Sequence, residues 1–245
     1  MDIVLKILGG SLGLLVPGLF MLAINKGIDR SPLDESKKVS SKTALSILVI
    51  LWTVVVFGAS LAGVISYHEG DQIPRVLIAL FIPVLAGLLA LANRDFQTIL
   101  DHTPLAALVG VQAFRFAGAA FLLVVYLGIL PSSFSTGGYG DLMTAALATV
   151  AAVMLSEKMT AGAKVVFWGF TLAGLGDLLN VAFLIVAYYP IWYRGTPSSA
   201  PIADFALIMI PAIAAPFALL LHTYAIRAVV LGKSASQASP ALRMP

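Results

Sequence analysis

Long apolar stretches alternate with short polar ones along this chain, and the apolar stretches set its architecture. A helix needs about 20 mostly apolar residues to cross roughly 30 Å of hydrocarbon. Seven stretches read as spans: residues 3–24, 43–66, 75–92, 105–130, 141–155, 164–188 and 203–231, the fifth being the shortest. They predict an all-α polytopic membrane protein, a seven-transmembrane-helix bundle over 1–233 followed by a short polar cytoplasmic tail over 234–245. Asp2 weakens the charge pattern of a cleavable leader and no small-residue cleavage site follows, so the first stretch reads as a retained span. The polar segment 25–42 and the tail are too short to bury cores of their own.

Composition sharpens the class. The 245 residues are 60% hydrophobic and 11% charged, against about 45–50% apolar and about 25% charged in a soluble domain. With a mean hydropathy of +0.98, a single water-soluble core is excluded. Cysteine is absent, which removes disulfides, thiolate metal sites, iron–sulfur clusters and cysteine nucleophiles together. The net charge of +3 belongs to the loops and not to a nucleic-acid surface. Lys26, Arg30, Lys37, Lys38, Lys42, Arg94, Lys158, Lys164, Arg227, Lys233 and Arg243 fall on one side of the predicted bundle. Only Lys6, Arg75 and Arg194 fall on the other. The positive-inside rule then puts the N-terminus outside and the C-terminus in the cytoplasm. Tyr188, Tyr189, Trp192 and Tyr193 read as an aromatic cluster at the outer interface. Gly9-x-x-x-Gly13 and Gly58-x-x-x-Ala62 are small-residue spacings that let helices approach closely. The expected partners are the lipid bilayer, a small molecule or ion, and a second copy of the chain, with no nucleic acid.

Ionisable groups inside hydrocarbon are costly, so each is a functional candidate. Gln112 and Arg115 share a face of the fourth span, as Asp177 and Asn180 do of the sixth; His222 lies inside the seventh. At about 1.5 Å of rise per residue, Arg115, Asp177 and His222 sit at roughly 15, 20 and 13 Å from the cytoplasmic ends. Three helices thus deliver polar groups to one layer. Arg115 and Asp177 read either as a buried ion pair fixing register or as a site in which Arg115 holds an anionic group. Gly174 and Gly176 reduce bulk beside Asp177. Pro211 and Pro216 break the last helix before His222, which reads as a structural hydrogen-bonder, a proton relay or a haem ligand. His68 and His102 lie near opposite ends of the bundle and do not join it.

Thr136-Gly137-Gly138-Tyr139-Gly140-Asp141 resembles a potassium-channel filter, but no pore helix fits between Pro131 and the motif. A glycine-rich turn followed by Asp141 at a helix N-terminus explains the same letters. No G-x-S-x-G, H-E-x-x-H or Walker loop occurs, so no particular catalysis is indicated.

Seven spans in this orientation resemble microbial rhodopsins in topology alone; the last span has no lysine before Lys233, so a retinal Schiff base is excluded. Gln112-x-x-Arg115-x-x-Gly118, Leu130-Pro131, Gly138-x-Gly140-Asp141, Gly174-Leu175-x-Asp177-Leu178, Ile210-Pro211, Pro216 and His222 follow one another over about residues 100–225. This series resembles a group of poorly characterised bacterial seven-helix inner-membrane proteins. Thr171 departs from that pattern, which has asparagine there. The resemblance implies a multi-pass protein of the bacterial cytoplasmic membrane in which these residues belong together.

The leading expectation is a protein that binds a small ligand or cofactor at a midplane polar site, most concretely b-type haem on His222. Arg115 would neutralise an acidic ligand group, Gln112 would hydrogen-bond, and Asp177 would orient Arg115. A proton- or anion-coupled transporter and a structural accessory subunit are the alternatives. A ligand site predicts a closed pocket with one opening, a transporter predicts water access from both faces, and an accessory subunit predicts direct Arg115–Asp177 pairing without a cavity.

Overall fold

The computed structural model describes residues 2–157 and 159–232. Lys158, Lys233 and the polar tail with Arg243 lie outside the described residues. Among the described residues the chain is helical, without strands: α1 (Asp2–Arg30), α2 (Glu35–Leu61), α3 (Arg75–Ala90), α4 (Arg94–His102), α5 (Leu105–Gly110), α6 (Ala119–Tyr126), α7 (Ser135–Glu157), α8 (Ala161–Ala187) and α9 (Ala215–Val230). A 3₁₀ stretch, Val111–Gly118, joins α5 to α6, and a π-helical turn, Ile210–Ala214, leads into α9. Six helical runs among the described residues are long and apolar enough to cross a membrane. The pair α3 and α4, bent by 93° at its break, adds a seventh if counted as one span. The chain is therefore a multi-pass membrane protein.

Three boundaries differ from the sequence reading, each for a physical reason. α4 falls between the predicted spans 75–92 and 105–130, because its four charged or titratable residues interrupt the apolar run. It is nevertheless helical: Asn93 caps it by accepting from the Phe96 amide at 3.0 Å, and Ile99 and Leu100 are buried. The fifth span begins at Ser135, not Asp141, so Thr136–Gly140 is helix and the glycine-rich turn is overturned. Its carbonyls are engaged within a helix, which also disposes of the filter resemblance. The seventh span becomes regular α-helix only at Ala215, after the π turn containing Pro211.

The prolines explain a contact across the bundle. Pro216 has no amide hydrogen to give the Ala212 carbonyl one turn earlier. The indole Nε1 of Trp52 in α2 donates to that carbonyl at 2.9 Å. Trp52→Phe should therefore lower stability by about 1 kcal/mol, the net worth of one such bond. Thermal unfolding of detergent-purified protein checks this.

The last helix is the most buried and forms the centre of the bundle, whereas α2 lies at the edge. Buried Val49, Thr53, Val56 and Ser60 form the inward stripe of α2. Ile47, Leu48, Leu51, Val54 and Val55 form an exposed apolar face suited to lipid. Of the two small-residue spacings one makes a close approach, to the turn segment that precedes the π turn. Gly9 touches Ala206, and a Cβ on Gly13 would lie 2.8 Å from Met209 Sδ, whereas Gly58 faces open space.

The loops gather at two ends. At one, Lys37 meets Asp95 at 3.0 Å and Arg227 meets Asp101 at 2.6 Å. At the other, Tyr67 packs on Tyr189 at 5.7 Å and the Ser133 and Tyr188 hydroxyls lie 2.7 Å apart. Tyr188 and Tyr193 pack with their ring centroids 4.9 Å apart, Tyr189 is fully buried, and Trp192 stays half-exposed. In the turn before α3, the His68 amide and then Arg75 hold the Asp71 carboxyl below its ordinary range.

Candidate functional site

The fourth span carries its polar residues on the 3₁₀ stretch, and that geometry explains their spacing. With three residues per turn, side chains at i, i+3 and i+6 eclipse. Gln112, Arg115 and Gly118 therefore line one buried edge. Gln112 Nε2 donates to the Ala218 carbonyl of α9 at 3.1 Å. Arg115 spans two further helices: Nε donates to Asp141 Oδ1 of α7 at 2.6 Å, Nη2 to Asp177 Oδ2 of α8 at 2.5 Å, and Nη1 to the Gly174 carbonyl at 3.2 Å. The Arg115 side chain is 1% exposed, and those of Asp141 and Asp177 are 14% and 5% exposed. Burial at this level makes each ion pair depend on its full set of partners.

Glycines create the room for this triad. A Cβ on Gly118 would overlap Asp141, one on Gly140 would overlap Asp177 Oδ1, and one on Gly174 would overlap His222 Nε2. Gly137 and Gly138 let α7 pack closely against Val181 and Leu122 in the same way. The glycine-rich segment is thus a close-packing face of a membrane helix.

Of the sequence-predicted residues, Gln112, Arg115, Asp141, Gly174, Asp177 and His222 come together. Thr171 is buried one turn from Gly174. Asn180 does not join them: its amide donates to Thr136 Oγ1 at 2.9 Å in an exposed position. Thr144 and Phe170 were missed. Thr144 Cγ2 would lie 2.9 Å from a Cβ on Gly174, and Phe170 stacks on the His222 ring at 4.6 Å. Phe170 and Gly174 share a helix face at i, i+4, the only signal that could have joined them beforehand. Gln112 Oε1, Thr144 Oγ1, Thr171 Oγ1, Asp177 Oδ1 and both His222 nitrogens have no hydrogen-bond partner among the described residues.

A cavity of about 400 Å³ opens beside the triad. Arg115, Asp141 and Asp177 contribute its charged wall, with Phe81, Phe114 and Phe121 among the apolar remainder; Pro211 also lines it. His222 lines neither this cavity nor a larger groove of about 720 Å³ between α1, α2, α3 and α9. An axial haem ligand needs open space at its lone pair for the macrocycle. Here Nε2 abuts Gly174 and a ring face is covered by Phe170, so His222 does not fit that role. In the larger groove the charged residues Lys37 and Asp95 pair with each other.

Fold and site together define a polytopic helical membrane protein with a buried arginine–dicarboxylate triad facing an apolar cavity. The family model described as a domain of unknown function, DUF8737, matches residues 73–230, and the chain belongs to that family. The matched region holds every residue of the triad, together with Gln112 and His222, and leaves out α1 and α2. No curated protein and no solved structure matches the chain.

Proposed function

We propose that this protein crosses the bacterial inner membrane seven times, with its N-terminus outside, and binds a small, largely apolar ligand in the cavity beside Arg115. In this reading α3 is a short third crossing of about 24 Å, and α4 turns along the cytoplasmic surface. The orientation is supported by the eleven-to-three distribution of basic residues and by the Lys37–Asp95 and Arg227–Asp101 contacts, which tie the basic segments together.

The observation that carries the ligand reading is the cavity itself. Its volume of about 400 Å³ lies within the roughly 300–1,000 Å³ of small-molecule sites, which pair apolar walls with few polar anchors. An accessory subunit needs only the Arg115–Asp177 pair, and the cavity is surplus to that role. Anion-coupled transport draws no support from Arg115, whose Nε, Nη1 and Nη2 each already donate to an acceptor.

The test uses neopentylbenzene, a compact neutral hydrocarbon, with detergent-purified protein. The melting temperature of the wild type should rise with its concentration, by mass action on the folded state. Ala182→Trp, which fills the cavity from α8, should abolish the shift. Equal shifts in both proteins would mean that the probe acts elsewhere, and the reading would fail.

A further inference from the structure

The triad holds one more acid than base. One guanidinium, Arg115, faces two carboxylates, Asp141 and Asp177, leaving one negative charge when all three are ionised. Among the described residues no other charged side chain lines the cavity. A net charge in an apolar membrane interior is costly unless compensated. The arrangement also opposes an anion, since any group approaching Arg115 meets carboxylates on both sides.

From these observations we propose that the cavity takes a monovalent organic cation, whose charge balances the second carboxylate, and that a proton takes its place when the cation leaves. This rests on the ligand-binding reading above and adds the charge of the ligand. Asp177 Oδ1 faces the α7 backbone at Gly140, so this carboxylate acts on a ligand through its charge and not as a hydrogen-bond acceptor. One further feature supports the proposal. Phe81, Phe114 and Phe121 line the same cavity, and aromatic faces attract cations, most strongly where water is excluded. The requirement is for a compact ammonium with apolar substituents; the lining offers too few oxygen atoms to replace the hydration shell of a bare metal ion.

Exchange of the cation for a proton gives a signed pH dependence. The titratable or charged groups around the triad are Arg115 from the 3₁₀ stretch, Asp141 from α7, Asp177 from α8 and, beyond Gly174, His222 from α9; α1 and α3 bring only apolar residues to the cavity. Cation binding displaces one proton from the carboxylate pair. Affinity therefore rises with pH, by up to about tenfold per pH unit while the empty site still holds the proton.

Benzyltrimethylammonium and neopentylbenzene have the same shape and differ by one positive charge. Binding of both, in wild type and in Asp177→Asn, is measured by melting-temperature titration at several pH values. The cation should bind the wild type at least tenfold more tightly than the neutral isostere, and increasingly so as pH rises. In Asp177→Asn, where the triad is neutral, that preference and its pH dependence should vanish while neopentylbenzene still binds. Asp141→Asn makes the same charge change and serves if the first variant does not fold. A wild type that prefers the neutral isostere, or binds the two equally, overturns the cation assignment and leaves the ligand reading standing. Failure of both probes to bind overturns both.

Discussion

Arg115→Ala should destabilise the protein by about 3–5 kcal/mol, because it strands two carboxylates in an apolar layer. Arg115 is the link between Asp141 on α7 and Asp177 on α8, and its Nη1 also holds the Gly174 carbonyl. Its removal therefore costs three contacts across two helices. The loss should be recovered in large part by Arg115→Gln combined with Asp141→Asn and Asp177→Asn, which keeps similar shapes and removes the charge. Thermal unfolding of the purified single and triple variants provides the measurement. An Arg115→Ala protein that melts with the wild type would show that the triad contributes nothing to holding the helices together.

Gly140→Ala should be the second large effect, out of proportion to the methyl group it adds. The new Cβ would overlap Asp177 Oδ1 and lie 2.5 Å from Cγ and 3.0 Å from Cβ of the same residue. The aspartate is short and held by Arg115, so relief requires either a broken ion pair or the separation of α7 from α8. Overpacking of this kind costs about 1–3 kcal/mol, with part of the ion-pair energy added. Gly169→Ala on α8 is the control, since nothing lies within 4 Å of its Cβ position. Replacing a helical glycine by alanine there should stabilise by about 0.5–1 kcal/mol. Paired melting curves check both directions, and a neutral Gly140→Ala would remove the close-approach argument.

How much of this was legible beforehand depends on the interaction concerned. The spans were legible because hydropathy is a one-dimensional property, and the observed helices cover most of the predicted stretches. α4 was not, because its charged face hides Ile99 and Leu100 from a window average. The Arg115–Asp177 contact was foreseeable from depth alone. Asp141 entered as a helix start and as a member of the recurring pattern, not as a partner of Arg115, because reading 136–140 as a turn moved it to the membrane edge. The glycines that misled that reading serve close helix packing, a use that depends on what stands opposite each of them. The period-three spacing of Gln112, Arg115 and Gly118 did carry the signature of a 3₁₀ edge, although i, i+3 pairs also share a face in an α-helix. Whether His222 faced the cavity was a question of rotation about the helix axis, which sequence depth does not fix. The position of Asn180 failed for the same reason: shared helix face with Asp177 placed it near the triad, while its amide reaches outward to Thr136.

The account stands on the cavity beside the triad being a ligand site. Its most direct measurement is a crystal of the protein soaked with 4-iodo-neopentylbenzene, a neutral probe whose iodine is located by anomalous scattering. A single strong peak among Phe114, Phe121 and Ala182, within reach of Asp177, is the expected result. Iodine found only in the larger groove between α1, α2 and α3, or at no ordered position, would contradict it.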